Sequence, residues 1–442
     1  MSRILLGCIA DDFTGATDLA NNLVRAGMRV VQTIGVPAGS WAAEADAVVV
    51  ALKSRTIAAA EAVAQSLEAL HWLQAGGAQQ IYFKICSTFD STAQGNIGPV
   101  TEALMDALGA GFCIATPAFP DNGRAVFKGH LFVGDVLLSD SGMREHPLTP
   151  MTDANLVRVL QAQSRRRVGL VDHRCVAAGV RAIRARIAEL QSQGTALAIA
   201  DALSNADLMQ LGLALASAPL VTAGSGVAIG LPQNFGISAT AGTLAAASLL
   251  PVAKGACAVV SGSCSQATNR QVATFVQGGG AALAVDALRA ASGADVVAEA
   301  LAWAATQLPA GPVLLYSTAE PAAVKAVQQQ LGVNQAGALM EHTLAAIAQA
   351  LVRRLGVQQL VVAGGETSGA CVQALGITQL HIGPQIDPGV PWCHAVPPGA
   401  GPGGLHLALK SGNFGSDDFF SKAFAQLARP LRPPADEKVL IK

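Results

Sequence analysis

The sequence predicts an α/β protein of two domains, each built on a mostly parallel sheet flanked by helices, with the active site in the interdomain cleft. The chain has 442 residues, which exceeds the roughly 250 to 300 residues at which single hydrophobic cores stop growing. Short apolar runs alternate with helical stretches in both halves, a pattern typical of parallel sheets. Polar residues follow several of these runs, where open α/β sheets bind ligands.

The first half opens with a βαβ unit. Residues 3–10 and 30–36 predict strands, and Ala16, Leu19 and Leu23 mark the apolar face of the helix between them. Further strands are expected at 47–52, 81–86, 112–116, 168–172 and 196–200, and in the second half at 256–260, 312–316, 360–363 and 405–409. We therefore expect domains at 1–235 and 256–425, a connection at 236–255 and an extended tail at 426–442.

Composition and charge favour a small-molecule partner. Hydrophobic residues make up 51% of the chain and charged residues 13%, with a net charge of −1, so no electrostatic footprint for nucleic acid or an anionic membrane is present. Prolines and glycines divide the uncharged stretch at 208–253 into pieces shorter than the ~20 apolar residues of a membrane span. We expect no nucleic acid and no membrane as partners, and a homo-oligomer stays open.

The cysteines and histidines do not form a recognisable metal or disulfide pattern. The eight cysteines contain no CxxC pair, and several lie inside apolar runs, as expected for reduced thiols in the cytoplasm. The eight histidines show no HxxxH or HExxH spacing. No metal ligand is therefore assigned directly.

An acidic loop follows the first strand. Asp11 and Asp12 could hydrogen-bond to the hydroxyls of a polyhydroxy substrate, and one of them could act as general base. An N-cap on the following helix would account for one of the pair as well. Arg55 and Lys84 could bind a substrate carboxylate, although surface ion pairing explains such residues equally.

Three glycine-containing loops follow strands of the second half, at 261–265, 364–369 and 410–415. Glycine lets the backbone approach an anion closely, and N–H and hydroxyl groups donate to phosphate oxygens. A helix beginning after Gly369 would direct its positive end at a transferring phosphoryl group. Lys410 could add a full charge or be a solvated lysine, and Glu366 could hold Mg²⁺ through water or simply suit the helix dipole.

These two kinds of loop indicate a small-molecule kinase that holds a polyhydroxy substrate in one half and phosphates in the other. Neither the GxxxxGK[ST] loop nor a GxGxxG after the first strand is present, which disfavours P-loop and dinucleotide-binding proteins. The protein-kinase signatures are absent too. Mg²⁺ would bridge the phosphate oxygens, as phosphoryl transfer generally requires.

A set of motifs resembles the four-carbon acid sugar kinases over nearly the whole chain. The motifs are DDFTGATD at 11–18, KICSTFDST at 84–92, GNIG at 95–98, SGSCS at 261–265, AGGETSGA at 363–370, PGVPW at 388–392 and LALKSGNFGSDDFF at 407–420. The resemblance implies an N-terminal sugar-binding domain and a C-terminal nucleotide-binding domain. It also implies ATP-dependent transfer to the 4-hydroxyl of a four-carbon acid, most like the members that act on a 3-oxo-tetronate of the 3-dehydro-erythronate type.

The resemblance also implies which residues contact the ligands. ATP contacts would fall on Ser261, Ser263, Gly364, Gly365, Glu366, Thr367, Ser368, Gly412 and Asn413. Substrate contacts would fall on Asp12, Arg55, Lys84 and Asp90, with Asp11 beside them. Asp12 is the first candidate for the base, while Asp11, Asp90 and Glu366 stay open, and Lys410 is the candidate cation for catalysis.

Three other functions remain possible at this stage. The same fold could phosphorylate D-threonate or D-erythronate, because sister kinases carry similar motifs. A non-catalytic sugar-acid sensor would bind the acid without turnover. A lyase or isomerase that uses the acidic pair would act without nucleotide.

Overall fold

The computed structural model describes residues 4–39, 44–146 and 149–428. The chain divides into two compact units, the first ending at Ala247 and the second starting at Ser248. This division falls inside the segment predicted to connect two domains. Each unit contains neighbouring parallel strands, as expected from the alternating apolar runs.

The first unit contains an α/β sheet and a small antiparallel sheet. Its strands are β1 (Leu6–Ala10), β2 (Val30–Ile34), β3 (Ala47–Ala51), β4 (Gln80–Lys84), β5 (Cys113–Thr116), β6 (Arg124–Phe127), β7 (His130–Val133), β8 (Val136–Leu137), β9 (Arg167–Val171), β10 (Thr195–Ala200) and β11 (Leu220–Ala223). Its helices are α1 (Phe13–Arg25), α2 (Ala59–Ala75), α3 (Ile97–Leu108), α4 (Leu156–Gln163), α5 (His173–Ala177), α6 (Val180–Ser192), α7 (Asn205–Ala214) and α8 (Ala241–Ala247).

The larger sheet of this unit is parallel at each neighbouring pair of strands, in the order β2-β3-β1-β4-β11-β5-β10-β9. Strand β1 lies between β3 and β4, with Ala10 opposite both Ala51 and Lys84. The carboxyl ends of these three strands therefore lie side by side. Strands β6, β7 and β8 form the separate antiparallel sheet, which the apolar pattern did not predict.

Local sequence explains the first βαβ unit. Strand β1 is buried along its whole length, as expected for a central strand covered on both faces. Asp12 is the N-cap of α1, and its carboxylate accepts the Gly15 N–H, which satisfies one of the free amides of the first turn. The helix ends before Gly27, whose φ of 97° suits glycine.

The second unit is also α/β. Its strands are β12 (Ala256–Ser261), β13 (Ala281–Ala284), β14 (Val313–Tyr316), β15 (Val357–Ala363), β16 (Gln379–Asp387), β17 (Val390–Ala395) and β18 (Leu405–Lys410). Its helices are α9 (Gln266–Gln277), α10 (Ala287–Ala291), α11 (Val296–Gln307), α12 (Pro321–Leu331), α13 (Val333–Leu355), α14 (Gly365–Leu375) and α15 (Phe419–Ala428).

The sheet of this unit runs in the order β13-β14-β12-β15-β18-β17-β16. The five strands β13, β14, β12, β15 and β18 are parallel to one another. Strand β17 is antiparallel to both β18 and β16. The sheet is thus mostly parallel with an antiparallel hairpin. Strands β12, β15 and β18 are neighbours, so the three glycine loops that follow them lie at the same sheet end.

Aromatic residues build part of the core of the second unit. Trp392 is fully buried and donates from its indole N–H to the Ala423 carbonyl at 3.0 Å. Phe419, Phe420 and Phe424 of α15 pack in the same cluster. This packing extends the helix to Ala428, three residues into the segment predicted as an extended tail. The remainder of that segment, 429–442, lies outside the described residues.

Within the described residues, no helix is both long and apolar enough to cross a membrane. The uncharged stretch at 208–253 instead holds most of α7, strand β11 and helix α8, together with short 3₁₀ helices at Gly226–Gly230 and Pro232–Phe235. Leu208, Leu211 and Leu220 in this stretch are fully buried, which accounts for the lack of charge in its first part.

Candidate active site

A cluster of charged side chains lies at the carboxyl ends of β1, β3 and β4. Asp11 and Asp12 directly follow β1, Arg55 follows β3, and Lys84 is the last residue of β4. The side-by-side placement of these strand ends brings the four predicted substrate residues together. Asp90 joins them, since it lines a small cavity with Asp11 and Arg55.

Arg55 links the two aspartates. Its Nε and Nη2 atoms donate to the two carboxylate oxygens of Asp11 at 3.0 and 2.7 Å, and Nη2 also donates to Asp12 Oδ1 at 2.7 Å. A guanidinium that binds a carboxylate with two parallel hydrogen bonds fixes both distance and orientation. Arg55 is therefore engaged within the protein, and the surface ion pair that the sequence left open is not what forms.

Asp11 and Asp12 differ in environment. The side chain of Asp11 is 7% exposed and that of Asp12 is 25% exposed. Burial raises the pKa of Asp11, and the nearby Arg55 offsets only part of this. Burial also opposes ionisation of Asp12, but Arg55 and Lys84, with hydrogen bonds from Thr14 and Gly15, together lower the pKa of Asp12. The more accessible Asp12 is thus an ionised acceptor.

Lys84 is a buried cation beside this pair. It is 2% exposed, and its ammonium donates to the Ile85 carbonyl at 2.7 Å. A Cβ added at Gly15 would lie 2.9 Å from Lys84 Nζ, so glycine is needed for the ammonium to lie against the first turn of α1. A buried ammonium with nearby carboxylates is suited to an anionic ligand.

Asp18 is a member of this cluster that the sequence did not single out. It is buried on α1, accepts a hydrogen bond from the Ser225 hydroxyl, and lies close enough to Lys84 for the two to interact electrostatically. Burial raises the pKa of Asp18 to about 6. Its place at the end of the DDFTGATD motif, which begins with Asp11 and Asp12, is the signal that could have identified it.

Asp90 is held by its own loop. The Cys86 thiol donates to Asp90 Oδ2 at 2.9 Å, and the Thr88 hydroxyl donates to Oδ1. Burial raises the pKa of the Cys86 thiol to about 12, so Cys86 acts as a neutral donor. The KICSTFDST motif thus orients the Asp90 carboxylate.

The glycine loops of the second unit also come together. The N–H groups of Gly262 and Ser263 donate to the Ala363 carbonyl at 2.9 and 3.2 Å, and the Gly364 N–H donates to the Lys410 carbonyl at 2.8 Å. Helix α14 begins at Gly365, not after Gly369 as predicted. The first turn of a helix has N–H groups without intrahelical acceptors, and here that turn contains Glu366 and Thr367.

Side chains larger than glycine would not fit between these loops. A Cβ at Gly364 would lie 3.1 Å from Ser263 N, one at Gly262 would lie 2.3 Å from Thr367 Oγ1, and one at Gly412 would lie 2.5 Å from Ser263 Oγ. Gly364 also has a φ of 124°, which L side chains rarely adopt. The three loops therefore pack more closely than any residue other than glycine at these positions would allow.

A cavity of about 430 Å³ lies next to two of the loops. Its polar side includes Gly262, Ser263, Gly364, Gly365, Glu366 and Thr367, and its apolar side includes Val285, Val324, Met340 and Leu344. Small-molecule sites typically combine an apolar wall with a few placed polar groups. The cavity therefore suits a ligand with one flat apolar part and one anionic part.

Two predicted residues have different surroundings from those expected. Ser261 ends β12 fully buried, and its hydroxyl bonds with Thr318 Oγ1 at 2.7 Å, so its side chain does not face the cavity. Lys410 is 0% exposed, and its ammonium donates to Thr268 Oγ1, Ser411 O and Gly412 O at 3.0 to 3.1 Å. The three donors of the lysine thus serve the loop itself. It is therefore not a solvated lysine.

The remaining predicted phosphate residues divide by exposure. Glu366 and Asn413 are exposed, Thr367 is nearly buried, and Ser368 is fully buried within α14. Gly412 is fixed through its carbonyl, which also accepts from Ser265 Oγ at 2.6 Å and Thr268 Oγ1 at 2.9 Å. Ser265 is the last residue of the SGSCS motif and Thr268 follows it closely, so their position could have indicated that their hydroxyls contribute to this site.

Three histidines that are far apart in sequence lie on neighbouring strands. His381 is opposite His394, and His394 is opposite His406, across β16, β17 and β18. Sequence spacing did not reveal this row. The Nε2 atoms of His394 and His406 lie 2.8 and 2.9 Å from the Gly403 and Pro251 carbonyls. Among the described residues no group of His, Cys, Asp and Glu side chains could hold a metal ion.

Comparison with known proteins identifies the family. A model of a sugar-binding N-terminal domain matches residues 6–231, and a model of a nucleotide-binding C-terminal domain matches residues 258–420. The 3-oxo-tetronate kinase of Burkholderia multivorans is 60% identical over 426 residues, covering 96% of this chain and 98% of that protein. The chain belongs to the four-carbon acid sugar kinase family. The charged cluster lies in the sugar-binding match and the glycine loops lie in the nucleotide-binding match.

Further similarities agree with membership of this kinase family. The 3-oxo-tetronate kinase of Pseudomonas fluorescens is 61% identical over 428 residues, covering 96% of this chain and 98% of that protein. The crystal structure of a Haemophilus influenzae protein is 45% identical, has a TM-score of 0.77, and covers 95% of this chain and 100% of its own. The fold is therefore shared along nearly the whole length.

Proposed function

We propose that this chain is an ATP-dependent 3-oxo-tetronate kinase, which transfers a phosphoryl group to the 4-hydroxyl of the acid. The observation that carries the proposal is the 60% identity to a kinase of that name over 96% of the chain. The two clusters of residues suit the two reactants, because one is ionic and the other is rich in glycine. In the reaction the bond between O4 and the γ-phosphorus forms, the bond from that phosphorus to the β-phosphate oxygen breaks, and ADP leaves.

The second unit would bind ATP. The N–H groups at the start of α14, around Gly365 and Thr367, would donate to phosphate oxygens together with Ser263 and the loop at Gly412 and Asn413. The adenine would lie against the apolar wall near Met340 and Leu344. Such a cradle stabilises charge on a transferring phosphoryl group without any covalent step by the protein.

The first unit would bind the sugar acid. The buried ammonium of Lys84 and the Arg55 guanidinium would attract the substrate carboxylate, and Asp90 would accept from a hydroxyl. Asp12 would accept the hydrogen bond of the reacting hydroxyl and then its proton, because Asp12 is ionised and more exposed than Asp11. Asp11 would hold Arg55 in place.

Mg²⁺ would accompany ATP. A magnesium ion at such sites takes one or two carboxylates and the substrate's own phosphates as ligands, and the exposed Glu366 at the cavity is the carboxylate that fits. When bound, the ion neutralises charge on the phosphate oxygens.

We also propose a cytoplasmic location. The eight cysteines are free thiols in the described structure, and four of them are buried. Reduced thiols persist in the cytoplasm and are oxidised in most secreted proteins.

A coupled ADP-release assay with 3-oxo-tetronate, D-threonate and D-erythronate tests the proposed activity. We expect the highest kcat/KM with the 3-oxo acid and dependence on both ATP and Mg²⁺. A higher kcat/KM with either hydroxy acid would reassign the substrate. Binding of the acids without ADP release would favour a sensor, and conversion without nucleotide would favour a lyase or isomerase.

A further inference from the structure

Asn96 makes an unusual set of contacts with the loop that carries Arg55. Its side-chain Nδ2 donates to the carbonyls of Ser54, Arg55 and Ile57 at 2.7, 3.2 and 3.0 Å. Asn96 is 7% exposed, and an amide has two N–H donors to share among these acceptors. One side chain thus provides hydrogen bonds to three backbone carbonyls of a loop that is neither helix nor strand.

The position of Asn96 at the start of α3 makes its hydrogen-bond partners informative. It is the N-cap residue of α3, where an asparagine side chain usually accepts an N–H of the first turn. No such cap bond is present here within the described residues. The first turn of α3 does not depend on such a bond, because the Gly98 N–H donates to Gln163 Oε1 at 3.0 Å and Pro99 has no N–H. The Asn96 amide is therefore left to hold the distant loop. Departures from a local rule are expected at functional sites.

The same loop is held from its other side by Asp11. The N–H groups of Ser54 and Arg55 donate to the Asp11 carbonyl at 3.0 and 3.2 Å. The loop is therefore clamped between the end of β1 and the start of α3. The Arg55 side chain then returns to the Asp11 and Asp12 carboxylates.

We propose that Asn96 is a positioning residue for sugar-acid binding, which fixes the Arg55 loop and through it the orientation of Asp11 and Asp12. This inference rests on the proposed function. The Asn96 amide touches the backbone of the loop, so its effect on the acid is exerted through Arg55. Because ATP would bind in the other unit, loss of the amide weakens binding of the acid and leaves the KM for ATP unchanged.

The variant Asn96→Ser tests this separation. Serine is also favoured at the N-cap position of a helix but lacks the amide donors. We expect the KM for the sugar acid to rise about tenfold or more, the scale of losing one or two buried hydrogen bonds, with the KM for ATP unchanged. Asn96→Gln, which keeps an amide on a longer side chain, is expected to give an intermediate KM for the acid.

Asn234→Ser is the matched control. Asn234 Nδ2 donates to the Gly212 carbonyl at 2.9 Å. This variant therefore also removes a hydrogen bond from a side-chain amide to a backbone carbonyl of the same unit, but not one that holds the Arg55 loop. We expect it to leave both KM values unchanged. If Asn96→Ser lowers the melting temperature and alters both KM values in parallel, or alters neither, the positioning role is wrong.

Amide hydrogen exchange separates this inference from the proposed function. In the ligand-free protein, the N–H groups of Ser54 and Arg55 should exchange faster in Asn96→Ser than in the wild type, with exchange in β1 unchanged. This readout requires no substrate. Unchanged exchange at 54–57 would overturn the positioning role even in an active kinase, while faster exchange in a protein inactive on every tetronate would refute the function alone.

Discussion

The guanidinium of Arg55 and the carboxylate of Asp11 form a buried two-point ion pair, with N···O distances of 3.0 and 2.7 Å. The second of these nitrogen atoms also donates to Asp12. A buried carboxylate is stable as an ion only when it is paired and hydrogen-bonded. The pair therefore fixes the orientation of the Asp11 carboxylate and holds Arg55 against Asp12.

Arg55→Lys is expected to abolish most activity on the sugar acid. Lysine keeps the positive charge but cannot make two parallel bonds to a carboxylate, so Asp11 loses its fixed partner. Breaking a buried pair costs about 3 to 5 kcal/mol, and we expect a loss of stability of up to that order together with a large fall in kcat/KM. Thermal unfolding and the ADP assay measure the two effects.

Arg158→Lys provides the control for this prediction. Arg158 binds both oxygens of Asp153 at 2.9 and 2.7 Å, but its side chain is 65% exposed. Exposed pairs contribute about 0 to 1 kcal/mol, so this variant should retain stability and activity. Equal effects of the two substitutions would show that burial of the Arg55 pair has no special importance.

Asp12→Asn is expected to reduce kcat by about a hundredfold or more, the usual range for removal of a general base. The asparagine oxygen can still accept the Gly15 N–H as N-cap, so α1 should keep its stability. The measurement is kcat for the sugar acid at saturating ATP, beside the melting temperature.

Asp172→Asn is the comparison for Asp12. Asp172 caps α5 and accepts the Cys175 N–H at 3.1 Å, so the same change is made at a cap outside the charged cluster. We expect normal kcat there. Undiminished turnover of Asp12→Asn would reject Asp12 as base and direct attention to Asp90.

Gly364→Ala is expected to weaken ATP binding while sugar-acid binding remains normal. The new Cβ would lie 2.9 Å from Thr367 Oγ1 and 3.1 Å from Ser263 N, so the loop must shift away from its phosphate-binding shape. Calorimetric titration with ATP and with the acid, each alone, measures the two affinities.

Gly356→Ala separates this local effect from backbone strain. Gly356 has a φ of 67°, and a Cβ there has nothing within 4 Å, so the strain of a left-handed alanine is introduced without crowding a loop. It should lower stability slightly and leave the affinity for ATP unchanged. A similar loss of ATP affinity in both variants would argue against a specific role for Gly364.

The sequence was sufficient for the parts of the fold that depend on local pattern. Buried parallel strands appear as short apolar runs, so β1, β12, β15 and β18 were expected close to where they lie. The functional loops follow such strands and were found for the same reason. Strands β16 and β17 were missed, because their partners are set by pairing within the sheet and not by a local apolar pattern.

The sequence was less informative about what each site side chain contacts. A lysine at the end of a strand can face solvent, a ligand or the protein, and only packing showed that Lys410 binds carbonyls of its own loop. Asn96 stands in the GNIG motif, but the sequence did not show that its amide reaches the carbonyl of Ser54. The row of histidines at His381, His394 and His406 arises from strand register, which sequence spacing cannot show.

Lys410 makes the stability of the protein depend on pH. Burial lowers the pKa of Lys410 to about 7, from its usual value of 10.5. Between these two values the unfolded chain binds a proton that the folded chain lacks, so this group makes the folded state more stable as pH rises from about 7 towards 10.5. Lys410→Met should remove this contribution. The melting temperature of the wild type, measured relative to that of the variant, should therefore increase as pH rises.

The same variant should raise the KM for ATP at every pH. Without the ammonium, the Ser411 carbonyl keeps only the Phe414 N–H, and the Gly412 carbonyl keeps only the Ser265 and Thr268 hydroxyls, so the loop is held less firmly. Lys254→Met, which changes an exposed lysine of the same unit, should alter neither the pH dependence nor the KM. Because a catalytic cation would act mainly on kcat, a fall in kcat with an unchanged KM for ATP would overturn this structural role and support the catalytic role that the sequence suggests for Lys410.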